Sequence, residues 1–146
     1  MWEAIFNRLP GWVEPVADYI IHVGLRNTLI ISAISVVLSL VIGVVLGTLL
    51  TIKFLPLQAA IRLYIEVWRG LPIIVTIFLL YFALPTLSDA VRIPALNLDP
   101  LRATILGLAL WGSAQMAETT RGAVQSIPKE QHEASAALGF GWVGRH

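Results

Sequence analysis

Trp111, Gln115, Glu118 and Arg121 sit near the end of one apolar run, and their types and spacing invite chemistry. Residues three or four apart are neighbours on a helix surface, so Trp111, Gln115 and Glu118 share a face. A carboxylate at membrane depth is costly unless it is paired or meets water. Two readings follow. Glu118 pairs with Arg121 three residues on and fastens the helix end to the following loop, or Trp111, Gln115 and Glu118 form the polar wall of a path through the membrane. Glu118 has no partner base or nucleophile at a recognisable spacing, so an intramembrane enzyme finds little support. His22, His132 and His146 are scattered without ligand spacing and there is no cysteine, so neither a metal site nor any other cofactor is expected. No phosphate-binding G-x-x-x-x-G-K-[ST] loop occurs, which leaves any ATP chemistry to another subunit.

The second candidate region is a short helix inside the segment 126–141. Pro128 suits a first helical turn because its missing N–H is one of the unpaired ones there. Glu130 and Glu133 place negative charge toward the positive end of the helix dipole. Ala134 to Leu138 make a smooth body, and Gly139 and Gly141 supply the left-handed conformation that ends helices. A helix of roughly 11 residues is marginal in water and needs a surface to dock on; its small side chains allow close approach by a partner.

These residues must be positioned by membrane-crossing elements. Hydrophobic residues make up 57% of the chain and charged residues 13%, against about 45–50% and about 25% in soluble domains. A net charge of +1 over 146 residues, with no basic cluster, argues against nucleic acid as a partner. Residues 1–24 mix Glu3, Arg8, Glu14 and Asp18 with Trp2, Phe6, Trp12 and Tyr19, and Pro10-Gly11 interrupts them, as in an interfacial lead-in. The start lacks the basic and apolar regions of a cleaved signal, so the N-terminus is expected to be retained.

The uncharged run from Asn27 to Ile52 covers about 39 Å as a helix, enough for a bilayer core of about 30 Å. It predicts a first span at about 25–52. Thr28, Ser32, Ser35, Ser39, Gly43 and Gly47 fall on one face of it, either packing a helix of the same subunit or lining a path. Leu57 to Trp68 reads as a partly apolar cytoplasmic connector, with a second span at 70–88 and Pro72 in its first turn. The stretch from Pro85 to Leu98, with Asp89, Arg92, Pro94 and Asn97, reads as a polar loop. Asp99 is a good N-cap and Pro100 a good first residue for a third span at 101–121.

The segment Glu133-Ala134, three residues, then Leu138-Gly139 resembles the Glu-Ala-Ala/Gly signature in the cytoplasmic loop of permease subunits of bacterial binding-protein-dependent ABC importers. Ala117-Glu118, Arg121-Gly122, Gln125 to Pro128 and Gln131 extend the match toward the polar amino-acid branch. Glu66 to Pro72, with Phe78 to Phe82 and Pro85, resembles a second block of that branch. Ser135 replaces the second Ala of the signature, Lys129-Glu130 stands where a small residue is common, and Thr76 stands where the family often has a longer polar amide.

The resemblance, covering about Leu25 to Gly141, implies an all-α integral membrane protein: one transmembrane domain of three spans plus a short cytoplasmic coupling helix, the N-terminal part of a five-span permease fold. The missing part would be C-terminal. It implies ATPase coupling through Glu133, Ala134, Ser135 and Gly139, loop positioning by Glu118, Arg121 and Gly122, and a possible substrate pathway at Trp111, Gln115 and Thr76. The implied partners are a cytoplasmic ATPase, an extracytoplasmic solute-binding protein, a second permease subunit that is identical or paralogous, and membrane lipid. Lys53, Arg62, Arg69, Arg121, Lys129 and Arg145 would lie inside, against Arg8, Arg26, Arg92 and Arg102 outside, giving a multi-pass inner-membrane protein with its N-terminus outside. The competing expectations are an accessory or truncated membrane protein without transport activity, and a permease for another small organic solute.

Overall fold

The chain enters its first helix, α1 (Val13–Leu49), just past Pro10-Gly11, where the Val13 N–H donates to the Pro10 carbonyl at 2.9 Å. The computed structural model describes residues 10–91 and 97–141, and all regular structure among them is helical. Trp2, Glu3, Phe6, Arg8, Arg92, Pro94 and the terminal stretch from Trp142 to His146 lie outside the described residues. The expected boundary between a lead-in and a span at about residue 25 is a π-helical turn, Ile20–Leu25, inside a continuous helix. Nothing from Val13 onward breaks the helical hydrogen bonding, so the mixed stretch and the apolar run become one element. α1 is long and apolar enough to cross a membrane, and only 11% of its apolar window is buried, unlike the core helix of a soluble domain.

α2 (Leu55–Gly70) follows a tight turn in which Gln58 Nε2 donates to the carbonyls of Leu50 at 3.1 Å and Ile52 at 2.9 Å. That amide satisfies acceptors which the end of α1 leaves without helical partners. α2 packs Ile61 and Ile65 against Leu50, Ala114 and Ala117, the buried cluster of the fold, with Tyr64 and Trp68 beside it. It ends at Gly70 because Pro72 disfavours helical geometry in the residue before it; Leu71 is extended, with φ −90° and ψ 134°.

α3 (Ile73–Phe78), a π turn (Leu79–Ala83) and α4 (Leu84–Val91) then continue at 104° to α2. The second apolar segment therefore begins at Ile73 rather than at residue 70, and Pro72 is the residue before the helix rather than part of its first turn. Its carbonyl accepts from the N–H groups of Val75 and Thr76 at 2.9 and 3.1 Å. The bent pair from Leu55 to Ser88 is apolar enough to serve as one broken span.

α5 (Pro100–Gln125) begins as its sequence predicts, with Asp99 Oδ1 accepting from the Arg102 N–H at 2.8 Å and Pro100 in the first turn. It runs four residues past the expected end at 121, so Gly122 lies inside the helix and the change of direction falls at Ser126 to Pro128. α5 is the central element: Ala103, Ile105, Gly107, Ala109, Ser113, Ala114 and Ala117 are buried. Small side chains let it be approached by α1 on one side and by α2 and α3 on the other. The same small and polar residues lower its hydropathy below that of α1.

α1 and α5 run parallel. Ser35 Oγ donates to the Ile105 carbonyl at 3.3 Å and Ser39 Oγ to the Ala109 carbonyl at 3.5 Å, both at a sequence separation of 70. Further along, Gly43 abuts Met116 and the Ser113 carbonyl, and Gly47 abuts Ala117 and Thr120. The small-residue face of α1 thus packs a helix of the same chain over Ser35, Ser39, Gly43 and Gly47. α6 (Lys129–Ala137) completes the described chain.

Candidate functional site

The C-terminal half of α5 carries side chains in two directions. Trp111 and Gln115 point with Thr119 into an open groove of about 450 Å³ between α1 and α5, where Ser32, Ser35 and Ser39 form the facing wall. Val36, Leu40, Leu108 and Met116 supply its apolar remainder. The surface the groove exposes is mostly apolar, because Ser35 and Ser39 turn their hydroxyls to the α5 carbonyls of Ile105 and Ala109.

Glu118 does not join that groove. It faces α2 across a second cavity of about 260 Å³, shared with Arg121, Arg62, Glu66 and Arg69. Glu118 and Arg121 form a bidentate ion pair: Arg121 Nε donates to Oε1 and Oε2 at 3.1 and 3.2 Å, and Nη2 also donates to Oε1. Arg121 Nη1 donates to Gln125 Oε1 at 2.7 Å, extending the link by another turn. The pair is two-thirds shielded, with side-chain exposures of 34% for Glu118 and 28% for Arg121, so water screens it less than a surface pair. It stiffens the last two turns of α5, immediately before the chain turns toward α6. A hydroxyl link lies one turn back, where the Tyr64 hydroxyl is 2.7 Å from Ser113 Oγ, which itself donates to the Leu110 carbonyl at 2.9 Å. It ties α2 to α5.

Thr76 stands apart from Trp111 and Gln115. It is fully buried on α3, and its hydroxyl has no hydrogen-bond partner. The neighbouring Ile77 presses against Gly107 of α5. The polar cluster on α2 was missed as a site. Arg62, Glu66 and Arg69 recur at steps of four and three, a helical face beside the Ile61–Ile65 core face, with Ile65 at the edge of the same cavity, but the sequence does not say which helix that face meets.

α6 begins after a proline and closes at a left-handed glycine. Pro128 precedes it with non-helical backbone, φ −57° and ψ 146°, and its carbonyl accepts from the Gln131 N–H at 3.1 Å. At the other end Gly139 takes φ +82°. The Phe140 N–H reaches the Ser135 carbonyl and the Gly139 N–H the Ala136 carbonyl, both at 3.0 Å, the paired closure that terminates many helices at a left-handed glycine. Only Glu130 falls in the first turn; Glu133 sits one turn deeper, with its side chain exposed. Ala134 is exposed and Ser135 half-buried. Leu138, 78% exposed, and Phe140, 53% exposed, leave an apolar corner uncovered at the end of α6.

The family model of the "binding-protein-dependent transport system inner membrane component" matches residues 39–145. Over 139 residues the chain is 36% identical to the glutamine transport system permease protein GlnP of Escherichia coli, covering 95% of this chain and 57% of that protein. It is 33% identical over 141 residues to the probable amino-acid ABC transporter permease protein YckA of Bacillus subtilis, covering 97% and 58%. A crystal structure described as an amino acid ABC transporter with histidines superposes with a TM-score of 0.69 at 24% identity, covering 89% of this chain and 56% of that one. The chain belongs to the family of inner membrane components of binding-protein-dependent transport systems, and its helical fold is that of an ABC permease. It spans a little over half the length of these curated relatives.

Proposed function

We propose that the chain is part of the membrane-spanning subunit of an ATP-driven importer for polar amino acids, and that α6 transmits the motion of a cytoplasmic ATPase to the spans. The observation that carries this reading is α6 itself: a helix bounded by Pro128 and closed by a left-handed Gly139, largely exposed, following a central helix stiffened by the Glu118–Arg121–Gln125 ladder. Displacement of such a helix moves α5 instead of being lost in bending. Glu133, Ala134, Ser135 and Gly139 are the docking residues, Glu118 and Arg121 position them, and Gly122 sits in the same terminal stretch of α5. ATP hydrolysis belongs to the separate ATPase subunit.

The parallel packing of α1 and α5 supports three crossings, because the chain must return across the bilayer between them. The bent α2–α4 path is the return, with α1 entering from outside and α2 and α6 at the cytoplasmic face. Trp111 and Gln115 line the solute's path in the α1–α5 groove; Thr76, buried elsewhere, is a packing residue. Three spans cannot enclose a polar route in lipid by themselves, because every polar group there needs a partner. Further spans and a second permease subunit, identical or paralogous, complete the route, and an extracytoplasmic solute-binding protein delivers the substrate.

The test is uptake. The natively expressed permease, reconstituted in liposomes with its ATPase and binding protein, should accumulate labelled glutamine or another polar amino acid only when ATP is supplied on the ATPase side. ATP-independent accumulation, or none with any polar amino acid, would refute the reading.

A further inference from the structure

We propose that the cavity between α2 and α5 holds the phosphate headgroup of an anionic phospholipid from the cytoplasmic leaflet. This rests on the reading that α1 and α5 cross the bilayer with α2 at its inner face. Arg62, Glu66 and Arg69 from α2 and Glu118 and Arg121 from α5 surround about 260 Å³ of open space. Glu118 is taken up by Arg121. Among the described residues neither Arg62 nor Arg69 forms an ion pair, although Glu66 stands four residues from one and three from the other. The cavity therefore holds three guanidinium groups against two carboxylates, a net positive charge, with Arg62 and Arg69 near enough to Glu118 to feel its charge but in no ion pair of their own.

Guanidinium groups bind phosphate oxygens through paired N–H donors, and basic pockets between membrane helices on the cytoplasmic side attract anionic headgroups. The flank of the cavity distinguishes a lipid from free phosphate. Leu63, 64% exposed, and Val67, 44% exposed, lie one residue beyond Arg62 and Glu66 and form an uncovered apolar stripe along the same helix. An acyl chain fits that stripe while its headgroup fits the cavity; a free phosphate ion leaves the stripe in water. A lipid held there bridges α2 and α5 at the turns that precede α6, and so fastens the two helices at the end where motion is transmitted.

The natively expressed protein is placed in phosphatidylcholine nanodiscs containing a minor fraction of phosphatidylglycerol, and retained lipid is counted by native mass spectrometry on release. The expected result is preferential retention of phosphatidylglycerol, weakened about 25-fold in the R62Q/R69Q double variant, since each basic residue near an anionic surface contributes about a fivefold factor. R62K/R69K, which keeps both charges but loses the paired donors, should fall between wild type and R62Q/R69Q. Equal retention in wild type and R62Q/R69Q overturns the proposal. So does displacement of the lipid by millimolar inorganic phosphate, which would make the cavity a soluble-anion site, or no preference for phosphatidylglycerol in any variant, which would leave the cavity to an acidic protein segment. A protein that fails to enter nanodiscs at all fails the membrane reading itself, an outcome separate from these.

Discussion

Replacing Gly47 should pry the two parallel helices apart. A Cβ built at Gly47 would lie 2.5 Å from the Ala117 carbonyl oxygen and 2.6 Å from Thr120 Cβ, against 3.4 Å at the near edge of ordinary contact. Neither neighbour can rotate away, because one is backbone and the other is the branch point of a threonine. Gly47→Ala therefore requires α1 and α5 to separate locally by about 0.9 Å, from 3.4 less 2.5. Overpacking of this kind costs about 1–3 kcal/mol, and the better helix propensity of alanine returns about 1 kcal/mol. The net loss is then about 0–2 kcal/mol for Gly47→Ala, and for Gly47→Val about 2–3 kcal/mol, since valine adds bulk and gives back most of the propensity gain. Gly122→Ala is the internal control: it lies inside α5 with nothing within 4 Å of its would-be Cβ, so it should gain about 0.5–1 kcal/mol. The assay is unfolding by sodium dodecyl sulfate from mild detergent micelles, followed by tryptophan fluorescence. The expected order of stability is Gly122→Ala, wild type, Gly47→Ala, Gly47→Val. A Gly47→Val protein as stable as wild type would refute the close parallel packing of α1 on α5.

Other substitutions test the remaining parts. Thr76→Val removes a buried hydroxyl that has no partner, so it should leave stability unchanged or raise it by about 1–3 kcal/mol, and leave uptake unaffected; loss of uptake at full stability would return Thr76 to the substrate path. Arg121→Gln should cost about 1–3 kcal/mol in the same unfolding assay by leaving Glu118 partly shielded and unpaired, and the Glu118→Gln/Arg121→Gln double variant should lose less than the sum of the singles. Gly139→Ala forces an alanine into φ +82°, at roughly 1–2 kcal/mol, and hydrogen exchange at the end of α6 should speed up while exchange in α5 does not change.

The local signals in the chain were legible because the chemistry that makes them is local. Asp99-Pro100 starts α5 through a side-chain cap and a fixed φ, and Gly139 ends α6 through a backbone conformation that other residues resist. The small residues of α1 told which face would be approached closely, and the structure supplied the partner, α5. Boundaries were harder where two signals compete. Pro72 acts on the residue before it, so α2 closes at Gly70 and the next helix opens at Ile73, although the run from Gly70 to Ser88 is uniformly uncharged. The mixed stretch from Val13 to Leu25 has no helix breaker after Pro15, which itself fits a first turn, and so continues into the apolar run. Trp111, Gln115 and Glu118 share a face by spacing, yet neighbouring helices divide that face between a groove and a charged cavity. The meeting of Glu118 with Arg62, Glu66 and Arg69 is a contact across some fifty residues of chain, which no periodicity encodes.

Coupling through α6 is tested most directly by measuring ATP hydrolysis and solute uptake together in proteoliposomes carrying Glu133→Lys permease, with membrane insertion checked alongside. Normal insertion is expected, with uptake reduced by about tenfold or more and ATP hydrolysis no longer stimulated by substrate-loaded binding protein, because the reversed charge stands at an exposed position of the proposed coupling helix. Uptake and stimulation unchanged from wild type would contradict it.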